Sequence, residues 1–153
     1  MNYFQTDDFF NENINKYGCL FFSLMDIAEK HTGHNFIPKT INKLYDHLTT
    51  TSFTAGKNEY LLMDKDCYIN SHTKVLQDAL EVFECHDKVM YVGADYNNTI
   101  TDRVSWGKKE GDYMILQYKT KNGNTHFVTP HFDPYKPDIR FDNLMSIRYY
   151  TIG

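Results

Sequence analysis

The chain has 153 residues, of which 24% are charged, and a formal net charge of −4 at pH 7. This length suits one domain with a hydrophobic core of its own, which we expect to span residues 1–153. The slight negative charge and the absence of a basic run argue against a nucleic-acid partner, because phosphate binding needs clustered lysine or arginine.

The opening residues and the cysteines indicate a cytoplasmic protein. The segment from Met1 to Asp8 is polar and aromatic, whereas a signal peptide is basic and then apolar. No apolar run reaches the length of a membrane span, so no membrane partner is expected. The three cysteines, an odd number, are widely spaced and do not form a disulfide framework. A reducing compartment leaves such thiols free to react.

A largely apolar helix is predicted to begin at Cys19. The preceding segment, from Met1 to Lys16, is predicted to be a lead-in with one short turn. Gly18 then relaxes the backbone, and the helix runs to about Lys30 and stops at Gly33. The helix is too apolar all round to lie on a surface. Its polar residues fall three or four apart and share one stripe: Cys19, Ser23, Asp26 and Lys30.

Two more helices are predicted before the chain changes character. Pro38 suits the first position of one helix, which the residues after Leu48 end. Ser71 opens the next helix, which continues to Phe83 with apolar residues on one face. The short apolar run from Tyr60 to Met63 has no assigned type. The first half is therefore predicted to be mostly helical.

The second half has the composition and spacing of strands. Asn122 and Gly123 form a strong hairpin signal, and Pro130 implies an edge strand or a bulge. Helices followed by antiparallel strands predict an α+β domain. The predicted strands cover residues 88–94, 113–119, 125–132, 139–144 and 146–152.

Cys19 is the candidate nucleophile. A thiol at a helix N-terminus lies in the positive end of the helix dipole, which favours its thiolate form. A cysteine nucleophile also needs a base and a group that orients the base. His126 is the best base, because it begins a strand directly after a tight turn. His131 lies at odd spacing on the same strand and would point to the opposite face.

Asp142 is the favoured orienting group. Asp133 is closer in sequence, but along an extended strand it lies on the order of 20 Å from His126. A hairpin near residues 133–137 would instead place Asp142 or Leu144 opposite His126, and Asp142 has the chemistry to accept the ring proton. Asn143 qualifies only if a bulge shifts the register.

An oxyanion hole needs a donor besides the Cys19 backbone N–H, and the Asn13 side-chain amide could supply it. This order of a helix-borne cysteine, a strand histidine and a later carboxylate resembles papain-like cysteine peptidases. It is most similar to the small bacteriocin-leader-peptidase-like branch. Gly18-Cys19 resembles the cysteine motif of that branch, residues 125–128 its histidine strand, and Phe141-Asp142 its aspartate. Asn13 takes the position of the family's glutamine.

The resemblance implies a papain-like fold, in which the N-terminal helices, with the cysteine helix at their centre, pack on a C-terminal antiparallel sheet. It also implies a Cys19–His126–Asp142 triad that acts on a peptide or protein substrate without a cofactor. Papain-like proteins of this size also occur in phages and plasmids. Leu20 and Phe21 replace the small residues that usually follow the cysteine, which motivates an alternative function. In that alternative, an inactive papain-like protein of a mobile element binds or inhibits a host protein. The oligomeric state stays open.

A metal site is the main alternative to a cysteine nucleophile. Cys67, Cys85 and several histidines are suitable ligand types, and His31 and His34 lie near one another. The chain has neither paired C-x-x-C spacing nor an H-E-x-x-H helix, so the sequence predicts no metal site. Cys67 and Cys85 are predicted to be structural.

Overall fold

A computed structural model describes residue 3 and residues 5–96, 113–129 and 144–153. Helices fill most of the earlier part and antiparallel strands the later part, so the predicted α+β class is confirmed. The chain divides into two compact units, residues 1–87 and 88–153. The prediction of a single domain over residues 1–153 stays a prediction.

The first unit contains four helices among its described residues. The structure confirms three predicted helix starts: at Cys19, at Pro38 and directly after Ser71. The predicted lead-in contains a further helix, whose N-cap Asn11 accepts a hydrogen bond from the Ile14 backbone N–H at 2.9 Å. The helices are α1 (Glu12–Tyr17), α2 (Cys19–Thr32), α3 (Pro38–Leu48) and α4 (His72–Glu81).

The central helix α2 is buried over most of its length. All residues from Phe21 to Glu29 are buried, which agrees with the prediction of an interior helix. Gly33 ends the helix in the left-handed conformation, with φ 72°, and its N–H donates to the Glu29 carbonyl at 2.8 Å. The α2 and α4 helices pack together in this unit.

A two-stranded hairpin lies between α3 and α4. Strands β1 (Ser52–Ala55) and β2 (Asn58–Leu61) pair antiparallel around Gly56. This hairpin was not predicted from the sequence, because each strand has only four residues and nearly all of them are exposed. Alternation of apolar and polar residues over so few positions is too weak a signal for a strand.

The second unit is a four-stranded antiparallel sheet among its described residues. Its strands are β3 (Val89–Tyr96), β4 (Tyr113–Lys119), β5 (Thr125–Val128) and β6 (Leu144–Ile152), in the order β3-β6-β4-β5. The predicted strand at 113–119 and the hairpin at Gly123 are confirmed. Strand β5 is an edge of the described sheet, as Pro130 led us to expect. Pro130 itself and residues 139–143 lie outside the described residues.

The sheet order corrects one predicted pairing. Tyr118 of β4 pairs with His126 on one side and with Leu144 on the other. The predicted hairpin would place Asp142 or Leu144 opposite His126. Leu144 instead pairs with Tyr118, and Asp142 lies outside the described residues. Consecutive strands often pair, but here β6 lies on the far side of β4 from β5.

One face of the sheet carries an apolar cluster. Its buried members come from β4, β5 and β6, and burial of this kind is the main stabilising term in such a unit. They are Leu116, Tyr118, Val128, Leu144, Ile147 and Tyr149.

Among the described residues, none of the helices combines the length and apolar character that crossing a membrane requires.

Candidate functional site

Cys19 is the first residue of α2, and its side chain is half-buried. The first backbone hydrogen bond of the helix runs from the Phe22 N–H to the Gly18 carbonyl at 2.8 Å. The thiol therefore stands at the positive end of a 14-residue helix dipole while keeping some contact with solvent. Reactive cysteines are typically partly exposed and often lie at helix N-termini.

Gly18 serves Cys19 in a different way from the one predicted. Its φ of −81° is open to any residue, so backbone freedom is not the reason for glycine. A Cβ atom at this position would lie 2.6 Å from the Ile14 carbonyl oxygen. Gly18 is therefore required by the close approach of α1 to the start of α2.

The polar stripe of α2 is largely inside the unit. The Ser23 hydroxyl donates to the Cys19 carbonyl at 2.8 Å, and Ser23 and Asp26 are both buried. Lys30, at the far end, is exposed. Of the residues that follow the cysteine, Phe21 is fully buried, and Leu20 keeps partial exposure. Leu20 is thus the bulky neighbour that could limit access to the thiol.

Asn13 and Cys67 lie close to one another. Asn13 is half-buried in α1, and its backbone carbonyl accepts a hydrogen bond from the Cys67 thiol at 3.8 Å. Asn13 and Cys19 belong to the same unit and to helices that only Gly18 separates. The contact of Cys67 with Asn13 was not predictable from the sequence, because 54 positions separate the two residues and no local signal joins them.

Cys67 itself has the properties of an inert thiol, as predicted for a structural cysteine. Burial raises the pKa of Cys67 to about 12, and the charges of Asp66 and Cys19 add to the increase. Its backbone has φ 64°, which is uncommon for a residue with a side chain. The Cys67 N–H donates to the Asp64 carbonyl at 2.8 Å, which helps to hold this turn.

His126 lies in β5, half-buried and on the face of the sheet that carries the apolar cluster. Its ring meets the ring of Tyr118 edge to face, with 5.6 Å between the ring centroids. Tyr118 pairs with His126 across the two strands. This aromatic contact limits the orientation of the imidazole, and the pairing in the hairpin is the feature that could have indicated it.

The predicted site residues thus fall into three groups. Cys19 and Asn13 belong to the first unit, and His126 belongs to the second. Asp142, its alternatives Asn143 and Asp133, and His131 lie outside the described residues. The triad therefore stays a prediction.

Comparison of the chain with protein-family models, curated proteins and solved structures found no match.

Proposed function

We propose that the protein is a papain-like cysteine peptidase or amide hydrolase with Cys19 as its nucleophile. The observation that carries this proposal is the half-exposed thiol at the first position of the buried helix α2. The dipole of α2 favours the thiolate that attacks the carbonyl carbon.

The other roles follow the chemistry of amide cleavage. The Cys19 thiolate attacks the carbonyl, and protonated His126 donates a proton to the leaving amine. Asp142 orients the imidazole through its ring N–H. The Cys19 backbone N–H and the Asn13 amide hold the negative oxygen of the tetrahedral intermediate. Asn13 suits this role because it lies in the helix that leads into Cys19.

The first experiment measures the rate at which chloroacetamide alkylates Cys19 across a range of pH values, followed by mass spectrometry of the Cys19 peptide. We expect the rate to reach its plateau at a lower pH than for an ordinary cysteine thiol, because an imidazolium partner stabilises the thiolate. The His126→Ala variant should lose this shift. The His86→Ala variant, which changes an exposed histidine, should keep it. A pH profile that is the same in the His126→Ala protein and the unchanged protein would refute activation by His126.

A second experiment tests proximity directly. If the Cys19 sulfur and the His126 ring meet, a short bifunctional thiol reagent should bridge Cys19 and the new thiol of a His126→Cys variant, because the two Cβ atoms then lie only slightly beyond the roughly 3.5–4.5 Å of a direct disulfide. The control variant His86→Cys should not form this bridge. Failure of His126→Cys to bridge, with Cys19 still open to alkylation, contradicts the proposed pair.

A binding protein on the same fold is the second candidate, and strand β3 supports it. This strand is at an edge of the described sheet, and Met90, Tyr91 and Tyr96 are 57%, 39% and 60% exposed. Exposed apolar side chains on an edge strand are typical of surfaces that pair with another chain. In this function the host protein contacts β3, and Cys19 is dispensable.

The two candidates are separated by capture of a partner from host extract. The binding function predicts that Cys19→Ala protein captures one stable partner and that a Met90→Glu variant does not. Retention of the same partner by Met90→Glu would exclude β3 as the contact surface. Loss of the biological effect in Cys19→Ala protein would favour the hydrolase.

A further inference from the structure

Three side chains of types that bind metal ions meet near the ends of α2 and α4. They are His31 and, more than 50 residues further along the chain, Cys85 and Asp87. The His31 Nε2 atom lies 2.8 Å from the Asp87 Oδ2 atom. The nearest ligand atoms of His31, Cys85 and Asp87 all lie within 4.8 Å of one another. This group is separate from Cys19, because α2 rises about 1.5 Å per residue and His31 is therefore about 18 Å along the helix.

Two hydrogen bonds hold the backbone around this group in place. The Cys85 N–H donates to the Leu80 carbonyl at 3.2 Å, and the Gln77 amide donates to the Asp87 carbonyl at 2.8 Å. Glu84 has φ 57°, a left-handed conformation that costs energy for a residue with a side chain. His31 lies in the last turn of α2. The side chains are thus presented by a helix end and by a constrained turn.

The chemistry of the group also suits a cation. The Asp87 carboxylate is exposed, while His31 and Cys85 are half-buried. A carboxylate oxygen therefore lies beside an imidazole nitrogen and a thiol sulfur.

The donor set selects a class of metal. Sulfur and imidazole ligands favour zinc and similar transition metals, whereas calcium and magnesium take oxygen ligands. In a tetrahedral zinc site neighbouring ligand atoms are roughly 3.5 Å apart, so small side-chain movements from the present spacing would be enough. Three protein ligands leave the fourth position to water, and the exposed Asp87 places that position at the surface.

We propose that the first unit binds one Zn²⁺ ion through His31 Nε2, Cys85 Sγ and an Asp87 carboxylate oxygen. On binding, the Cys85 thiol releases its proton to solvent, and the His31 ring moves its proton from Nε2, which donates to the Asp87 carboxylate, to Nδ1, so that the Nε2 lone pair binds the metal. No metal site was predicted from the sequence, because the ligand spacing matches no motif. Only the packing of α2 against α4 brings His31 to Cys85 and Asp87.

The test uses Co²⁺ as a spectroscopic substitute for zinc in the full chain. Chelator-treated protein should take up one equivalent of Co²⁺ and show a thiolate-to-cobalt charge-transfer band that one equivalent of Zn²⁺ abolishes. Removing a group that only supports a metal ligand costs about 10–100-fold in affinity, so loss of a ligand should cost at least about 100-fold. We expect this loss for Cys85→Ser, His31→Gln and Asp87→Asn.

Matched controls separate this site from other thiols and histidines. Cys19→Ser and His86→Gln should keep the band and the affinity, because neither residue belongs to the group. If Cys85→Ser fails to fold, the exposed Asp87→Asn variant still tests the site. Absence of the band at one equivalent of Co²⁺ would overturn the proposal. So would a band that survives Cys85→Ser, or one that is lost in Cys19→Ser.

Discussion

Gly18 and Ile14 show how one missing methyl group permits a helix junction. The Gly18 N–H donates to the Ile14 carbonyl at 3.0 Å. A Cβ atom added to Gly18 would collide with that same carbonyl oxygen. The colliding atom belongs to the backbone and cannot rotate away. The start of the cysteine helix therefore depends on this glycine for space.

We predict that Gly18→Ala lowers the free energy of unfolding by about 1–3 kcal/mol, the usual cost of overpacking. Urea denaturation followed by circular dichroism measures this change. Gly153→Ala is the matched control, because a Cβ atom there meets nothing within 4 Å. It should change the free energy of unfolding by less than about 0.5 kcal/mol. Equal stability of the two variants would show that α1 and α2 do not approach this closely.

Cys67 should make stability depend on pH in alkaline solution. Below its ordinary pKa of 9.0 the thiol is protonated in both the folded and the unfolded protein. Between pH 9.0 and about 12 the unfolded thiol loses its proton while the folded thiol keeps it. Rising pH therefore favours the unfolded state across this window, and the contribution of Cys67 is lost by its upper end.

The Cys67→Ala variant tests this effect, because alanine meets the same backbone strain without the titrating group. Between about pH 8 and about pH 10.5 the unchanged protein should lose about 2 kcal/mol more stability than the variant. Between about pH 6 and about pH 8 the difference between the two proteins should stay constant. A difference that is also constant above pH 9.0 would contradict the raised pKa of Cys67.

The end of α2 depends on backbone conformation and has ample space. Gly33 has φ 72°, and a Cβ atom there would meet nothing within 4 Å. We predict that Gly33→Ala destabilises the protein by about 1 kcal/mol, and that Gly33→Asn costs less, because asparagine tolerates the left-handed conformation. Thermal denaturation of both variants measures the difference. If asparagine costs as much as alanine, the left-handed cap is not formed.

The order of the strands has the largest effect on the candidate triad. The hairpin of β4 and β5 was predictable from the Asn122-Gly123 turn, because such turns join neighbouring strands. The insertion of β4 between β5 and β6 was not predictable in the same way. It depends on which strand pairs best with the edge of β4 that β5 leaves open, and no local sequence signal determines that pairing. An orienting group for His126 therefore has to be sought by experiment, with Asp142→Asn and Asp133→Asn compared in the alkylation assay.

The division into two compact units leads to a prediction for the whole chain. The unit of residues 1–87 has its own buried side chains, among them Ile14, Leu24, Ile41 and Leu76, each with 0% exposure. We predict that a fragment of residues 1–87 folds into a helical domain with a cooperative thermal transition. Circular dichroism and amide hydrogen exchange measure this. A fragment that is helical but melts without cooperativity would show that its core is incomplete without the second unit.

Local chemistry was enough to predict most of the elements. Apolar spacing predicted α2, α3 and α4. Pro38 and Ser71 marked the starts of α3 and α4, and Gly33 marked the end of α2. These signals are readable in the sequence because caps and helix periodicity act over a few residues. The hairpin β1–β2 and the sheet order required the folded chain, because short exposed strands carry no periodic signal and strand pairing is non-local. The same holds for chemistry. Cys19 could be proposed as a nucleophile from its position in the sequence, and that role stays a prediction. The meeting of His31 with Cys85 and Asp87 depends on helix packing across more than 50 residues, which only tertiary structure determines.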